Sequence, residues 1–263
     1  MIKNPIHLQI LKDISELEKS LLACPEFVEG SKRDLERLNI AFGQKYLGTN
    51  KKYHGFKTKQ MGNLAKKIVK ENKLNKDQIL KLLNSLYQKN TSYTEIVLGP
   101  MILSLSPETL KDFDPKHLDL WLNYTCGWAE NDILCQSNFT SEILLSNWQN
   151  WKNILKEFNQ STNINKRRAS LVLLVKSLQQ SDDSRLSVLA FQQIENLKSE
   201  KEILITKAVS WLLRSLIKFH QSEVLDYLAK NKDTLPKIAY REAFSKATTG
   251  RKYNNSKKLR SDI

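Results

Sequence analysis

The spacing of apolar residues constrains the fold of this chain more than any other feature. Along most of the 263 residues, apolar side chains recur at three- and four-residue intervals, the repeat of an α-helix with one buried side. Only 8 glycines and 6 prolines are available for turns. Hydrophobic residues make up 40% of the sequence, which is enough for a core. These features together predict an all-α protein.

Many helices joined by short links are expected along the chain. They are predicted at 5–23, 31–48, 57–73, 76–89, 92–106, 115–125, 126–138, 140–158, 164–179, 184–198, 201–218, 221–230 and 235–246, with Pro100, Pro107 and Pro115 at boundaries. No strict repeat is visible, but the series is typical of HEAT-like helical repeats stacked into a curved solenoid, here with a basic concave face. A compact irregular helical bundle is the alternative architecture.

The organisation of the chain follows from the same pattern. We expect a single domain over 1–247, in which 1–30 form an N-terminal helix and a loop, followed by a basic, flexible tail over 248–263. The first helix lacks the long apolar run of a signal peptide or membrane span. A cytoplasmic protein with no membrane partner is therefore expected, nucleoid-associated if it binds DNA, and a monomer is the default for this architecture.

The net charge points to a polyanionic partner. A formal charge of +14 and a pI near 9.5 suit nucleic acid, although a lysine-rich composition without function is the alternative. Nine lysines lie between 51 and 76 with Glu71 as the sole acid, a run that can neutralise phosphates or simply form a solvated face. Tyr53 begins the "YHGF" stretch and Lys57 follows it, just before a helix start, which is a natural anion site.

Cysteine and histidine give no sign of a metal site. The three cysteines form no CxxC pair, and the four histidines are scattered, so neither a zinc site nor a disulfide framework is suggested. These residues are Cys24, Cys126, Cys135, His7, His54, His117 and His220.

The stretch "KAVSWLLRSLIKFH" separates into an apolar and a basic side when it is placed on a helix. The apolar side comprises Val209, Leu212, Leu213 and Leu216, and the basic side comprises Lys207, Trp211, Arg214 and Lys218. A tryptophan on a basic face usually has a function, since exposure of an apolar indole to water is unfavourable in free energy. Packing of Trp211 against the next repeat is the alternative.

Two adjacent arginines, Arg167 and Arg168, fall at the first turn of a helix in "NINKRRASLVLLV". Arginine gains nothing there from the helix dipole. Paired guanidinium groups at a helix start suit a bound phosphate, whereas an ion pair with an acid elsewhere is an equally good interpretation.

A tryptophan and a carboxylate share one helix face in "NYTCGWAENDILCQSNF". Trp128 and Asp132 are four residues apart and leave the same side with Cys135, while Ile133 and Leu134 point away. An acid beside a basic face repels phosphate, so it either balances an arginine or stabilises positive charge in a substrate. Cleavage of a glycosidic bond develops such charge on the sugar, and aromatic faces also favour cations.

The ordered set WxxxD at 128–132, "RR" at 167–168 and "KAVSWLLR" at 207–214 resembles the AlkD-like DNA alkylation repair glycosylases, which are built from HEAT-like repeats. The segments "KYLGTNKKYHGFKTKQMGNLAKKI" and "LPKIAYREAFSKA" extend the resemblance over roughly 35–247. The resemblance implies hydrolysis of the N-glycosidic bond of cationic N3- and N7-alkylated purines, such as 3-methyladenine and 7-methylguanine, in duplex DNA. It implies no metal and no organic cofactor.

The family resemblance also assigns roles to residues. Asp132 would stabilise the sugar cation and position water, Trp128 and Trp211 would contact the deoxyribose, and Arg168, or alternatively Arg167, would hold a phosphate. Lys207, Arg214, Lys218, Tyr53 and Lys57 are the further DNA-binding candidates.

One residue departs from the family pattern, and the fold admits other functions. The family often has a second aromatic residue before the WxxxD tryptophan, where this chain has Gly127. This weakens one aromatic contact. Since fold does not guarantee activity, a non-catalytic module that binds damaged or branched DNA and a protein-interaction scaffold are the alternative functions.

Overall fold

The computed structural model describes residues 4–22 and 40–253 of the chain. Every regular element within these ranges is a helix and none is a β-strand, which confirms the predicted all-α class. The chain divides into two compact units, one ending at Asn138 and the other beginning at Phe139. The expectation that 1–247 form one domain stays a prediction. In the described part of the chain, no helix has the length and apolar character needed to cross a membrane.

Each unit contains a series of helices. Those of the first unit are α1 (Pro5–Leu22), α2 (described over 40–47), α3 (Thr58–Asn72), α4 (Lys76–Leu86), α5 (Tyr93–Ser104), α6 (Pro107–Lys111), α7 (His117–Leu122) and α8 (Gly127–Ser137). Those of the second are α9 (Ser141–Ser146), α10 (Trp148–Asn159), α11 (Ile164–Gln180), α12 (Ser184–Leu197), α13 (Ile203–Lys230) and α14 (Lys237–Thr249).

In the second unit, α11, α13 and α14 pack in that order as one row. Near their first turns, the Arg168 side chain donates to the carbonyl oxygen of Leu204. Towards the end of α11, the Gln179 side-chain nitrogen lies 3.3 Å from the Ser215 hydroxyl oxygen. The beginning of α11 thus contacts the beginning of α13, and a residue near the end of α11 contacts a later part of α13. The two helices therefore run parallel.

A second row in this unit consists of α10, α12 and the last part of α13. The Asn159 amide donates to the carbonyl oxygen of Gln193 at 3.2 Å, and the Tyr227 hydroxyl donates to the Glu195 carboxylate at 2.8 Å. The helix α13 changes row at His220, whose φ of −130° and ψ of 41° are non-helical. Stacking of alternate helices confirms the predicted helical repeats, while the curvature and the basic concave face stay predictions.

The first unit shows the same alternation, because α3, α5 and α8 pack in succession and α4 lies against α5. The N-terminal helix α1 packs on α3 and α4. His7 of α1 is fixed by a buried bond, in which its Nε2 lies 2.7 Å from an oxygen of Glu95 on α5.

Three details differ from the sequence predictions. The helix predicted over 140–158 is two helices, broken at Asn147, whose φ of −128° and ψ of 46° interrupt the helical bonds. The short helix α6 was not predicted. Pro100 was predicted at a boundary but lies inside α5, whereas Pro107 opens α6 as expected.

The proline inside α5 is tolerated because another group takes over its missing hydrogen bond. Pro100 has no N–H to donate to the carbonyl four residues earlier, that of Ile96. The Tyr87 hydroxyl donates to this carbonyl instead, at 3.1 Å. Gly99 leaves room for the phenol ring, since a Cβ at that position would lie 2.9 Å from its Cε2 atom. Burial raises the pKa of Tyr87 well above its usual range, so the hydroxyl remains a donor.

Several predicted features fall outside the described residues. These are the loop predicted between the first helix and residue 30, the start of the helix predicted at 31–48, and the tail beyond 253. The first residues of the predicted tail pack on α14. The Arg241 guanidinium lies 4.6 Å from the ring centroid of Tyr253, and the Lys252 amine lies 3.3 Å from the Glu242 carboxylate.

We predict that Tyr87→Phe lowers the free energy of unfolding by about 1–3 kcal/mol, because the buried carbonyl of Ile96 loses its donor. Denaturant unfolding monitored by circular dichroism measures the change. The control is the same substitution in a Pro100→Ala background, where the new backbone N–H can reach Ile96 and the loss should shrink. An equal loss in both backgrounds would show that the Tyr87 hydroxyl does not replace the bond missing at Pro100.

Candidate functional site

The start of α8 requires glycine. Gly127 has a φ of +69°, which disfavours any side chain. A Cβ at this position would also lie 2.2 Å from the carbonyl oxygen of Gly48 and 2.9 Å from that of Leu47. Gly127 therefore permits the segment after α2 to contact the start of α8. The sequence analysis had noted only that Gly127 replaces an aromatic residue common in the family, and did not predict this contact.

Trp128 is held by this same segment. Its indole N–H donates to the carbonyl oxygen of Tyr46 at 2.7 Å, and its ring meets the Tyr46 ring edge-on with centroids 5.5 Å apart. The Tyr46 ring in turn stacks with Phe42 at 6.4 Å. Trp128 is half-buried, whereas Tyr46 and Phe42 are 64% and 72% exposed. The three rings form an aromatic strip, defined here as Phe42, Tyr46 and Trp128.

Sequence reasoning missed two of these rings. Phe42 and Tyr46 are four residues apart on α2, so they share a helix face as Trp128 and Asp132 do. That spacing was an available signal for a paired aromatic face. The contact with Trp128 joins residues 82 positions apart, and no local pattern reports it.

Beneath the aromatic strip lies a buried carboxylate that was also not predicted. The Glu130 side chain is 0% exposed and accepts three hydrogen bonds. The donors are the Thr49 hydroxyl at 2.5 Å, the Lys51 amine at 2.6 Å and the backbone N–H of Cys126 at 2.7 Å. The Lys51 amine also donates to the carbonyl oxygen of Tyr124 at 2.7 Å. The charge of Glu130 is thus paired and hydrogen-bonded, as burial requires.

Asp132 lies one turn after Trp128 on the less buried edge of α8. Both side chains are partly exposed, whereas Leu134 and Cys135 are fully buried. Trp128, Asp132 and Cys135 keep the helical spacing of the predicted face, but Cys135 is buried. The helix is enclosed on more sides than the sequence indicated, since the polar Glu130 is buried as well.

The anion site predicted before α3 contains Tyr53 and Lys57. The Tyr53 ring packs edge-on against Tyr93 with centroids 5.2 Å apart, which leaves it half-buried. Lys57 caps α3 and is exposed, and its backbone N–H donates to the Gln60 side chain at 2.8 Å. A charged amine at a helix start that faces solvent remains available to an anion.

The two arginines of α11 have different environments. Arg167 pairs with Glu200, with Nε 2.7 Å from one carboxylate oxygen and a directed bond of 3.3 Å from its NH2 group to the other. Its NH1 group donates to the carbonyl oxygens of Ser161 and Thr162 at 2.8 and 2.9 Å. The ion-pair interpretation therefore describes Arg167. Arg168 is 4% exposed and bonds the carbonyl of Leu204.

The predicted division of α13 is confirmed on its apolar side, where all four residues are fully buried. On the other side, Trp211 and Arg214 are half-buried. The Arg214 Nε lies 3.6 Å from an oxygen of Glu242, which also accepts from the Ser210 hydroxyl at 2.6 Å. Burial lowers the pKa of Arg214 and the nearby Glu242 raises it, but a guanidinium remains charged.

The two lysines of this face reach solvent. Lys207 is exposed. Lys218 is exposed as well, but its amine donates to the carbonyl oxygen of Gln179 at 2.6 Å and lies 4.6 Å from the ring centroid of Phe219. Lys207, Trp211, Arg214 and Lys218 therefore share one edge of the row formed by α11, α13 and α14.

In the part of the chain that the structure describes, no group of three or more His, Cys, Asp or Glu side chains is arranged to hold a metal ion. Each unit separately carries groups of the kinds that contact a phosphate, a sugar or a planar cation: those of the first unit lie on α8, and those of the second lie on α11 and α13.

Comparisons with known proteins agree with the helical fold. A model of a family described as DNA alkylation repair enzyme matches residues 33–247. A solved structure described as a predicted DNA alkylation repair enzyme from Enterococcus faecalis is similar, with a TM-score of 0.60 and 20% sequence identity. The similarity covers 81% of this chain and 95% of that chain. The comparison with curated proteins gave no match.

We predict that Gly127→Ala destabilises the protein by several kcal/mol, since the new methyl group meets the carbonyl of Gly48 at a strained φ. Thermal unfolding measures the effect. The matched control is Gly62→Ala in α3, where a Cβ meets nothing within 4 Å and a small gain in stability is expected. Equal melting temperatures for Gly127→Ala and the wild type would contradict the close approach.

Proposed function

Since the chain belongs to the DNA alkylation repair enzyme family, we propose that it is a DNA glycosylase that excises cationic N3- and N7-alkylated purines from duplex DNA. The observation that carries the proposal is the partly exposed pair on α8, in which Asp132 follows Trp128 by one helical turn. A carboxylate next to an aromatic face suits a sugar that becomes positively charged. The lesions 3-methyladenine and 7-methylguanine meet this description, because each carries a formal positive charge.

The proposed reaction breaks the bond between C1′ of the deoxyribose and the purine nitrogen. The bonding electrons pass to the purine and cancel its positive charge, so the base leaves as a neutral molecule. The sugar acquires oxocarbenium character, which the carboxylate of Asp132 stabilises. Water positioned by Asp132 adds to C1′ and releases one proton to the solvent, which leaves an abasic site and the free base.

Aromatic rings assist this step by contact with the sugar. In the proposal, Trp128 and Trp211 lie against the deoxyribose, where an indole face attracts developing positive charge by about 0.5–2 kcal/mol. The indole N–H of Trp128 is already bonded to Tyr46, so the orientation of its ring is fixed before substrate binds. The exposed ring of Tyr46 extends the aromatic surface that a nucleoside can meet.

The cationic groups bind the DNA backbone in this proposal. Arg168 is the phosphate ligand in this proposal, and Arg167 is the alternative. Glu200 and two loop carbonyls bind Arg167, whereas Arg168 is buried and donates to the carbonyl of Leu204. Lys207 is exposed and contributes positive charge, whereas Arg214 shares its charge with Glu242. Lys218, Tyr53 and Lys57 provide the remaining contacts that we propose for the DNA backbone.

We predict that Asp132→Asn slows release of 3-methyladenine and 7-methylguanine from methylated duplex DNA by about 100-fold or more, because the neutral amide cannot stabilise the sugar cation. Single-turnover assays that quantify the free bases measure the rate. Affinity for the same duplex should be kept or slightly increased, since a negative charge near phosphate is removed.

The control is Asp77→Asn, which removes one exposed carboxylate from α4 of the same unit. It should excise like the wild type. Full activity in Asp132→Asn would contradict the role of this carboxylate. Tight, salt-dependent binding without base release from any variant, the wild type included, would favour a non-catalytic DNA-binding module.

A further inference from the structure

We propose that the buried ion pair of Lys51 and Glu130 is a positioning device, which sets the orientation of Trp128 for base excision. The inference rests on the proposed glycosylase function and adds two residues that do not touch substrate. Both side chains are largely enclosed, with 11% of Lys51 and 0% of Glu130 exposed.

Glu130 joins two separate pieces of backbone. One of its oxygens accepts from the Cys126 N–H, which precedes the first residue of α8. The same oxygen accepts from Lys51, and the other accepts from Thr49. One carboxylate thus fixes the start of α8 to the segment that follows α2.

The segment that follows α2 also contacts the indole of Trp128. Thr49 and Tyr46 are separated by two residues, and the backbone between them is fixed by bonds from Gly48 N–H to the Lys45 carbonyl and from Thr49 N–H to the Gln44 carbonyl, each 3.2 Å. This short turn places the carbonyl of Tyr46 at 2.7 Å from the indole nitrogen of Trp128. Displacement of the turn would therefore release the indole N–H.

The Lys51–Glu130 ion pair contributes little stability by its charges. A buried ion pair is rarely more stabilising than two apolar side chains of similar volume, because both charges lose their hydration. The charges of Lys51 and Glu130 instead restrict the directions of the hydrogen bonds. Each donor must point at the carboxylate, and an apolar pair would permit the turn to slide along α8 and the indole to rotate. A displacement of about 1 Å in a catalytic group can cost about 100-fold in rate.

The test is Glu130→Gln, in which a neutral amide replaces the carboxylate at nearly constant shape. The protein is labelled with 5-fluorotryptophan, and the Trp128 signal in the fluorine NMR spectrum is assigned by comparison with Trp128→Phe. We expect the Trp128 signal to shift and broaden in free Glu130→Gln, while the signals of the fully buried Trp121 and Trp151 stay in place. We also expect single-turnover excision to fall about tenfold or more with less than about a threefold change in DNA affinity.

The matched control is Glu95→Gln, which disrupts an equally buried pair with His7 in the same unit. It should lower the melting temperature without moving the Trp128 signal or the excision rate per folded molecule. If Glu130→Gln does not fold, Thr49→Val removes a single donor to the same carboxylate and should give smaller changes of the same kind.

The outcomes separate this proposal from the proposed function. An unmoved Trp128 signal in Glu130→Gln overturns the positioning role, whatever the activity. A moved signal with a normal excision rate shows that the pair orients the indole without serving excision, and also overturns the proposal. If wild-type protein releases no base but the Trp128 signal responds selectively, the glycosylase function fails while the control of Trp128 by the ion pair stands.

Discussion

The candidate site of the first unit depends on the hydrogen bonds that the carboxylate of Glu130 accepts. It holds the backbone before α8 and the turn after α2 against each other, and this contact is close enough that Gly127 must be glycine. Once the turn is fixed, the carbonyl of Tyr46 faces the indole of Trp128. A charge enclosed by protein thereby determines how an aromatic ring at the surface is presented.

Stacked repeats explain why such a surface exists. Each helix of a row buries one stripe against the helices before and after it, so the remaining edge can carry polar and aromatic groups without loss of core. In the second unit, α13 shows this division directly, because Val209, Leu212, Leu213 and Leu216 are buried while Lys207 and Lys218 reach solvent.

The sequence predicted the parts of the molecule that periodicity can report. The buried and open sides of α13 were predictable because a long helix with one buried stripe has a clear 3.6-residue pattern. The helix α8 gave less information, since the polar Glu130 and Asn131 are buried beside Leu134 and the pattern is weak on all sides. Periodicity treats such polar residues as exposed, and so the ion pair with Lys51 was not predicted.

Contacts between distant residues explain the remaining differences. Arg167 and Arg168 are adjacent and chemically identical, but Arg167 pairs with Glu200, whereas Arg168 is buried and donates to the carbonyl of Leu204. Pro100 was likewise predicted at a helix boundary because its substitute donor, Tyr87, lies just after α4 and outside the local sequence pattern of α5. Residue order identified the family and its candidate residues, whereas tertiary contacts show which of those residues are already engaged.

The central claim is that the protein releases alkylated purines as free bases. The most direct measurement is to incubate the wild-type protein with duplex DNA methylated at N3 of adenine and N7 of guanine, and to quantify free methylated bases and abasic sites in the same sample. The account predicts that both products appear in equal amounts and only with methylated DNA. Methylated DNA that is bound by the protein but keeps every base would contradict it.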